Sequence, residues 1–425
     1  MTIKELHEIF LKCGSVSTDS RKISQGQLFI ALKGENFDGN VYAIKALEDG
    51  AAYAVVNKDS EAALLGDERI IAVDDTLTAL WELARYHRET LSIPVVGLTG
   101  TNGKTTTKEL IKAVLLTKYK VAATSGNLNN NIGVPLTVLG IGDDAEIAIV
   151  EMGASHPGDI EELVRIAEPD YGLITNVGKA HLLGFGSFEG VMKTKGELYD
   201  FIASKGKKKI FLNADNEHLV EMAAQRKDLE TVPYRKAEIL PTSAFLRMNV
   251  GGIEINTHLV GNYNADNVLA AICVGEFFGV SLEDAAKAIE GYIPSNKRSQ
   301  MQKTSRNTLI IDAYNANPTS MAASLDNFAA ITASDKVALL GDMRELGEES
   351  ENEHAKIVKK VQGMLSEGTL SRVYYVGEEF SKVTQTCFSS SENLRKHLEI
   401  NPLENCTILI KGSRGIQMEN VIPAL

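Results

Sequence analysis

One stretch constrains the fold more than any other: Pro94-Val95-Val96-Gly97-Leu98-Thr99-Gly100-Thr101-Asn102-Gly103-Lys104-Thr105-Thr106-Thr107. A short apolar run becomes a glycine-rich turn. The turn runs into residues 108–116, whose apolar positions recur with helical spacing. Strand, glycine loop and helix start, in that order, form a phosphate cradle. Glycines let backbone N–H groups turn toward an anion, and the helix N-terminus adds unpaired donors and the positive end of its dipole. In such a cradle Lys104 reaches the terminal phosphates of a nucleotide, and the Thr105 hydroxyl holds a magnesium ion. The usual phosphate loop carries a glycine five places before Gly103, where this chain has Leu98 between Gly97 and Gly100. The alternative, a glycine-rich turn that binds nothing, is opposed by Gly-Lys-Thr at the helix start.

With 425 residues the chain is long enough for two or three domains. Hydrophobic residues make up 44% and charged residues 24%, the composition of an ordinary globular protein. A formal charge of −12 argues against a broad electrostatic grip on nucleic acid or anionic lipid. An anionic substrate must then be held by local basic and backbone groups. Cys13, Cys273, Cys387 and Cys406 are scattered, without metal-ligand or redox spacing, so reduced thiols are expected. The N-terminus alternates charge with apolar residues and has no signal-peptide core, and no run is long and apolar enough to span a membrane. A cytoplasmic protein without membrane insertion is the expectation.

In chain order, the first 75 or so residues read as a small α/β unit. Residues 3–10 have helical spacing, 27–32 and 51–56 read as strands, and 41–47 suggests a helix. The turn Ser17-Thr18-Asp19-Ser20-Arg21 and the loop from Lys33-Gly34 to Asn40 could hold phosphates or be solvated loops. Thr76–Thr90 is a linking helix, with Leu77, Leu80, Trp81 and Ala84 on one face. Strand-like runs then recur at Val95–Thr99, Ile147–Glu151, 171–175 and Lys209–Leu212, separated by helical segments. That alternation indicates a mostly parallel sheet with crossover helices, whose ligands sit at the carboxyl ends of strands. Glu151 lies at such an end, where a carboxylate can hold magnesium or be an ordinary strand-end acid. His181 follows another strand end, as a metal ligand or a hydrogen-bonded histidine. The amide-rich loop 124–133, with Asn127 and Asn130, binds something or is a surface loop. Lys193 and Lys195 precede Gly196-Glu197-Leu198 and could be a solvated helix face. Asn264 and Asn267, three apart, open the apolar helix 268–277 and can face one ligand. A composition change near 292–298 marks a second boundary. Beyond it, strands at 309–312, 336–340, 373–376 and 407–410 form a second, smaller doubly wound sheet. Its loops 312–318, 341–347 and 411–415 could share one carboxyl edge, facing the phosphate-loop domain across a cleft.

Taken together, these stretches resemble the Mur ligases of peptidoglycan synthesis over nearly the whole chain. The resemblance rests on Gly-Thr-Asn-Gly-Lys-Thr-Thr, the amide loop, Glu151-Met152-Gly153, the His181 segment and Gly261-Asn262-Tyr263-Asn264-Ala265-Asp266-Asn267, in family order. Asp312 through Pro318, Leu340 through Gly347 and Lys411 through Arg414 resemble the branch that joins D-alanyl-D-alanine to UDP-N-acetylmuramoyl-tripeptide. The resemblance implies three α/β domains. These are a UDP-substrate-binding domain with its linking helix at 1–89, a central P-loop ATPase domain at 90–298, and a C-terminal Rossmann-like ligase domain at 299–425.

It also implies the chemistry. ATP phosphorylates the terminal carboxylate of the UDP-linked tripeptide, and the amine of the dipeptide attacks the acyl phosphate. Gly100, Thr101, Asn102, Gly103, Lys104, Thr105 and Thr106 would hold ATP. Asn264, Asn267, Asp312, Tyr314 and Arg298 would join them, with Arg298 approaching the phosphates on closure. Two magnesium ions are implied, one held by Thr105 and Glu151, the second by His181 and by Lys195 carbamylated with CO2. Catalysis would fall to Lys104, Lys195, His181 and Arg298. Ser20, Arg21, Lys33 and Gly34 would lie near the UDP, and Asn127, Asn130, Asn315 and Asn317 would serve substrate binding. A monomer without nucleic-acid partner is expected. The chain departs from its relatives in carrying Ala313 beside Asp312, Asn40 in place of a histidine, and Leu183 in place of an acid. Two other readings are an amide ligase of the folylpolyglutamate synthase kind and a nucleotide-binding regulator. The first would have a small residue at Thr105 and no uridine-nucleotide domain. The second would have no need of His181 or Lys195.

Overall fold

Val95–Thr99 is a strand whose five residues are all buried. A continuous apolar run of this kind suits a strand covered on both faces. In the computed structural model, which describes all residues except 207–208, 242–243, 295–299 and 334, this strand lies inside a six-stranded sheet. The order is Glu230–Pro233, Lys209–Leu212, Tyr171–Ile174, Val95–Thr99, Ile147–Glu151 and Val121–Ala123. All five pairings are parallel. After Val95–Thr99 the chain builds the sheet first on one side, through Val121–Ala123 and Ile147–Glu151, then on the other, through Tyr171–Ile174. The reversal leaves a crevice at the carboxyl end of Val95–Thr99, where open α/β sheets take ligands.

Alternate residues of the strand face different layers. Val95 packs with helices Thr76–Thr90, Asp159–Ala167 and Phe188–Ser204. Val96 and Leu98 pack with helices Lys104–Leu115, Ala265–Phe277 and Leu282–Glu290. The linking helix is capped by Asp75, whose side chain accepts from Thr78 N. It buries Leu80, Leu83 and Ala84 in one core with Leu28, Ile30 and Val55 of the first sheet. That sheet is parallel, in the order Val16–Ser17, Leu28–Ile30, Tyr53–Asn57, Ile70–Val73. The first and central units therefore share apolar packing.

The third sheet has the order Gln300–Lys303, Thr308–Asp312, Thr407–Lys411, Lys336–Gly341, Arg372–Val376, Cys387–Phe388. Only its first pairing is antiparallel. Its cores are separate, apart from Val260, Ala244 and Phe245, which pack against one of them. The architecture is the expected α/β one, in three units. The sequence reading missed an antiparallel sheet of Ala237–Leu240, Phe245–Val250 and Ile253–Val260. It also read 33–40 as a loop, where Lys33–Gly34 and Phe37–Asp38 pair as a short hairpin. All four cysteines are free thiols. Among the described residues no helix is long and apolar enough to cross a membrane.

Candidate functional site

The phosphate loop turns into its helix at Gly103, which is left-handed at φ +79°. A Cβ there would lie 2.4 Å from Asn267 Oδ1, so the position has neither the backbone geometry nor the space for a side chain. The end of the neighbouring strand props the loop from behind. Thr101 N donates to Asn176 O (2.9 Å), Asn102 N to Asn176 Oδ1 (2.9 Å) and Thr175 Oγ1 to Asn102 O (2.6 Å). Lys104 arches over the loop and donates to the carbonyls of Gly100 (2.8 Å) and Thr101 (3.1 Å). Its ammonium thus stands beside the loop's carbonyls, and Lys104 itself lines the cavity described below.

Glu151 is fully buried. Its Oε1 accepts from Thr105 Oγ1 (3.2 Å) and Asn129 Nδ2 (2.8 Å). Its Oε2 is buried with no hydrogen-bond partner among the described residues. A buried carboxylate oxygen left unpaired is costly, and a bound cation removes that cost. Hydroxyl and carboxylate oxygens are the donors that a hard divalent cation prefers. No cluster of three or more His, Cys, Asp or Glu forms a cage among the described residues. This fits magnesium held by one or two protein oxygens together with phosphates and water. The carboxylate is fixed from below: Glu151 N donates to Thr124 Oγ1 (2.9 Å), and the fully buried Lys108 donates to Thr124 O.

His181 is left-handed at φ +51° and precedes the short helix Leu182–Phe185. Its Nδ1 meets the Glu345 carboxylate across the cleft. Burial holds the imidazole below its usual pKa. The Lys104 and Lys195 cations push the same way, and Glu345 opposes. Lys195, on the helix Phe188–Ser204, is buried, with Nζ 3.5 Å from Ala154 O and 5.4 Å from the centre of the Phe185 ring. Burial above all, with Lys104 nearby, drives its pKa well below that of an ordinary lysine, against Asp159 and Glu197. Lys193 is exposed.

Asn264 and Asn267 form a hydrogen-bonded chain behind the loop helix. Thr107 Oγ1 donates to Asn267 Oδ1, Asn267 Nδ2 to Asn264 Oδ1 and Asn264 Nδ2 to Val260 O, each at 2.9 Å. Opposite them, Asp312 Oδ2 accepts from Lys411 Nζ (2.5 Å) and Ser324 Oγ (3.1 Å). Asn317 caps helix Pro318–Ala330 and reaches back, its Nδ2 donating to Asn102 Oδ1 (2.8 Å).

The two walls enclose a cavity of about 820 Å3. Thr101, Asn102, Gly103, Lys104 and Thr106 line it from the loop, and Glu151 and His181 from the strand ends. Asn127, Asn130, Asn264 and Asn267 line it too, and Asp312, Tyr314 and Asn315 complete it from the third unit. Gly100, Thr105, Lys195 and Asn317 stand just behind the lining, joined to it by the contacts above. Four expected residues lie elsewhere. Ser20, Arg21, Lys33 and Gly34 are on the first unit, outside the cavity. Arg21 is 84% exposed and pairs with Asp19. Arg298 lies outside the described residues. Asn40 is a buried structural amide that accepts from Asn57 N (2.8 Å).

The structure adds residues that the sequence reading did not single out. Asn129, not Asn127 or Asn130, touches Glu151, while Asn130 Oδ1 accepts from Gly133 N (2.8 Å) at the start of helix Gly133–Leu139. Asn176, Lys108 and Glu345 are further additions. Asn176 alone carried a signal, as an amide directly after a strand facing the loop.

Comparison with known proteins accounts for almost the whole chain. Three family models match: "Mur ligase family, catalytic domain" at 12–88, "Mur ligase middle domain" at 98–275, and "Mur ligase, glutamate ligase domain" at 297–414. The UDP-N-acetylmuramoyl-tripeptide–D-alanyl-D-alanine ligase of Bacillus subtilis (strain 168) is 37% identical over 431 residues, covering 96% of this chain and 92% of its own. The enzyme so named in Escherichia coli (strain K12) is 34% identical, with 99% and 95% covered. A crystal structure of MurF from Acinetobacter baumannii superposes with a TM-score of 0.86 at 28% identity, covering 99% of this chain and 98% of that one. MurF ligase from Thermotoga maritima in complex with ADP gives 0.83 at 26%, with 96% of each chain covered. A folylpolyglutamate synthase of Mycobacterium tuberculosis reaches 0.61 at 15% identity, covering 82% of this chain and 94% of its own, a likeness of fold alone.

Proposed function

The chain belongs to the Mur ligase family, and from that premise we propose that it is the ATP-dependent ligase joining D-alanyl-D-alanine to UDP-N-acetylmuramoyl-tripeptide in cytoplasmic peptidoglycan precursor synthesis. One observation carries this reading above the others. Full-length similarity to two ligases of that name coincides with a cavity whose far wall is built by the loop after Thr308–Asp312, the start of helix Pro318–Ala330 and the strand end at Lys411. We propose the division 1–89, 90–298 and 299–425 for the three domains, with the second boundary outside the described residues. A monomer is the proposed state.

A carboxylate and an amine do not condense unaided in water, because the carboxylate is a poor electrophile. In the first step an oxygen of the tripeptide's terminal carboxylate attacks the γ-phosphorus of ATP, and the bond to the β-phosphate oxygen breaks to release ADP. In the second, the dipeptide nitrogen attacks the acyl carbon, the C–O bond to phosphate breaks, and the nitrogen loses a proton. Both steps gather negative charge on oxygens. Fixed cations and N–H donors stabilise that charge more than they stabilise the ground state.

In this reading Lys104 and the N–H groups of 100–106 bind the β- and γ-phosphates. Thr105 and Glu151 hold magnesium, which neutralises phosphate charge when bound. Asn264 and Asn267 fix the nucleotide, Asp312 takes the ribose, and Arg298 approaches the phosphates. Tyr314, Asn315 and Asn317 position substrate from the third unit, Asn127 and Asn130 from the amide loop, and Ser20, Arg21, Lys33 and Gly34 bind the uridine nucleotide.

Lys195 is the proposed carbamate. Its buried amine stays neutral, and its lone pair adds to the carbon of CO2. One C–O π bond opens, and the nitrogen gives up a proton. A neutral amine thus becomes an anion, close to His181 and able to share a second magnesium with it.

The test is ADP release with UDP-tripeptide and ATP, with and without D-alanyl-D-alanine, using both the lysine and the diaminopimelate tripeptide. Dipeptide-dependent release with one of them is expected. Its absence with both overturns the proposal.

A further inference from the structure

Two residues with left-handed backbones face each other across the cleft. Among the described residues five non-glycines have positive φ, and His181 (+51°) and Glu345 (+66°) are two of them. L side chains rarely adopt that region, and it persists where the surrounding structure imposes it. On the third unit the three residues before Glu345 are pinned. The Asp342 carboxylate accepts from Glu379 N (3.0 Å) and Phe380 N (2.9 Å), Met343 N donates to His354 Nε2 (3.0 Å), and Arg344 N donates to Ser413 Oγ (2.9 Å). On the central unit His181 O accepts from Gly184 N and Phe185 N, each at 3.0 Å. The Phe185 ring meets the imidazole in a T-shaped contact with centres 6.3 Å apart, and Lys195 Nζ lies 5.4 Å from the centre of the same phenyl ring. Two contacts then join the sides. Leu183 N donates to Glu345 O (3.3 Å), and the Glu345 carboxylate meets His181 Nδ1.

We propose that Glu345 is a positioning residue for His181: reaching over from the third unit, its carboxylate fixes the ring hydrogen on Nδ1 and leaves the Nε2 lone pair for the cavity. The inference rests on the function proposed above, in which His181 is a ligand of the second magnesium. An ionised carboxylate only accepts, so the ring nitrogen that it meets must carry the hydrogen. The other nitrogen is then the one able to donate a lone pair, and His181 lines the cavity. Histidines that hold metals are commonly set in this way, by a carboxylate on the far nitrogen. Here the carboxylate and the histidine belong to different units. His181 is therefore ordered as a ligand only when the third unit is docked, in the same arrangement that sets Asp312 opposite the phosphate loop. Adhesion between the units is not the contact's main effect. The Glu345 side chain is 58% exposed, and an exposed pair of this kind contributes little to holding two units together.

The test reads the tautomer directly, from nitrogen NMR spectra of the full chain isotopically labelled in its eight histidines. Spectra are taken at pH 8 with ADP and UDP-tripeptide bound and divalent ions removed by a chelator. The His181 signals are those missing from His181→Gln. The wild type should carry the His181 hydrogen on Nδ1. Glu345→Ala should move it largely to Nε2, and Glu345→Gln, whose amide oxygen still accepts, should keep it on Nδ1. In steady state with magnesium, Glu345→Ala should lower kcat about tenfold to a hundredfold, as loss of a ligand's outer partner does, with KM for ATP in place. Glu345→Gln should recover part of that loss. A wild-type His181 with its hydrogen on Nε2, or the same tautomer in wild type and Glu345→Ala, overturns the assignment. A hydrogen on Nδ1 in a wild type with no dipeptide-dependent ADP release overturns the proposed function instead, and leaves the pairing of Glu345 with His181 standing.

Discussion

Lys104 and Lys195 are two lysines set near one another, and their surroundings give them opposite work. Lys104 lies over the loop with carbonyls as partners, so its charge is available to phosphate oxygens. Lys104→Ala should therefore lower turnover on the order of 100-fold or more, as loss of one preorganised contact to a charged transition state does. A near-normal rate in steady-state assay would refute the role. Lys195 is buried against an aromatic ring, where an ammonium is costly and a neutral amine is not. Lys195→Ala should lose a comparable factor, and formate or acetate should restore part of the rate by supplying the missing carboxylate. Intact turnover in that variant would remove the carbamate from the mechanism. At this scale the sequence was most legible where chemistry follows local grammar. Lys104 and Thr105 stand at fixed places after a strand and a glycine turn, and Glu151 ends an apolar run. It was least legible where partners come from far along the chain. Lys411 reaches Asp312 only because two strands 99 residues apart pair in register, Asp312 beside Lys411. Among the asparagines of 127–131, which one meets Glu151 depends on how the loop turns, and composition does not say.

The elements that carry the site depend on small clamps, and one of them titrates. His354, fully buried on helix Ser350–Ser366, accepts from Met343 N through Nε2 (3.0 Å) and donates from Nδ1 to Ser350 O (2.7 Å). It holds the start of the loop that carries Arg344 and Glu345, and only a neutral imidazole can do so. Burial keeps its pKa below the ordinary value. Asp342 and Glu379, packed close by, oppose the shift, and Lys382 adds to it. The folded state therefore binds its proton later than the unfolded state, whose histidine titrates near 6.5. Stability is complete above that pH. It is lost as pH falls below it, at about 1.4 kcal/mol per unit for this one group. Melting temperatures of wild type and His354→Ala between pH 8 and 5.5 check the point. The variant should lose about 1–3 kcal/mol at pH 8, where Met343 N is left unpaired, and should show a shallower fall in acid. His7 and His87, a buried pair with the same direction of shift, stay in the background of both proteins. Equal acid slopes would remove His354 as a cause. Element by element, the central and third sheets were readable because strands covered on both faces are unbroken apolar runs. The antiparallel sheet was not, since Phe245–Val250 alternates buried and half-buried residues and escapes a search for apolar runs. Its signal was Gly251-Gly252 between two alternating segments, a two-residue hairpin turn.

Across the whole molecule the three units are joined by different physics, and that difference predicts which of them moves. The first unit shares a buried apolar core with the central one through Thr76–Thr90. The third unit meets the central one through apolar packing at Val260, Ala244 and Phe245. At the cleft it relies on polar contacts: Asn102 with Asn317, His181 with Glu345, and Lys179 Nζ with Glu353 Oε1 at 3.1 Å. Separating apolar surface costs about 25 cal/mol per Å2. A partly exposed ion pair such as Lys179–Glu353 contributes about 1 kcal/mol or less. The first and central units should then behave as one body, with the third in an equilibrium that a few kcal/mol can shift. ATP and UDP-tripeptide bind residues on both walls of the cavity in the proposed function. They therefore favour the closed arrangement by their difference in affinity for the two states. Solution scattering should show a smaller radius of gyration with ATP and UDP-tripeptide than without. A spin-label pair across the central and third units should shorten under the same conditions, while a pair across the first and central units stays fixed. Glu353→Gln should widen the distribution in the ligand-free protein and leave the liganded one narrow. Identical scattering profiles with and without ligands, or movement at the first unit instead of the third, would contradict a mechanism in which the third unit brings Asp312 to the phosphate loop.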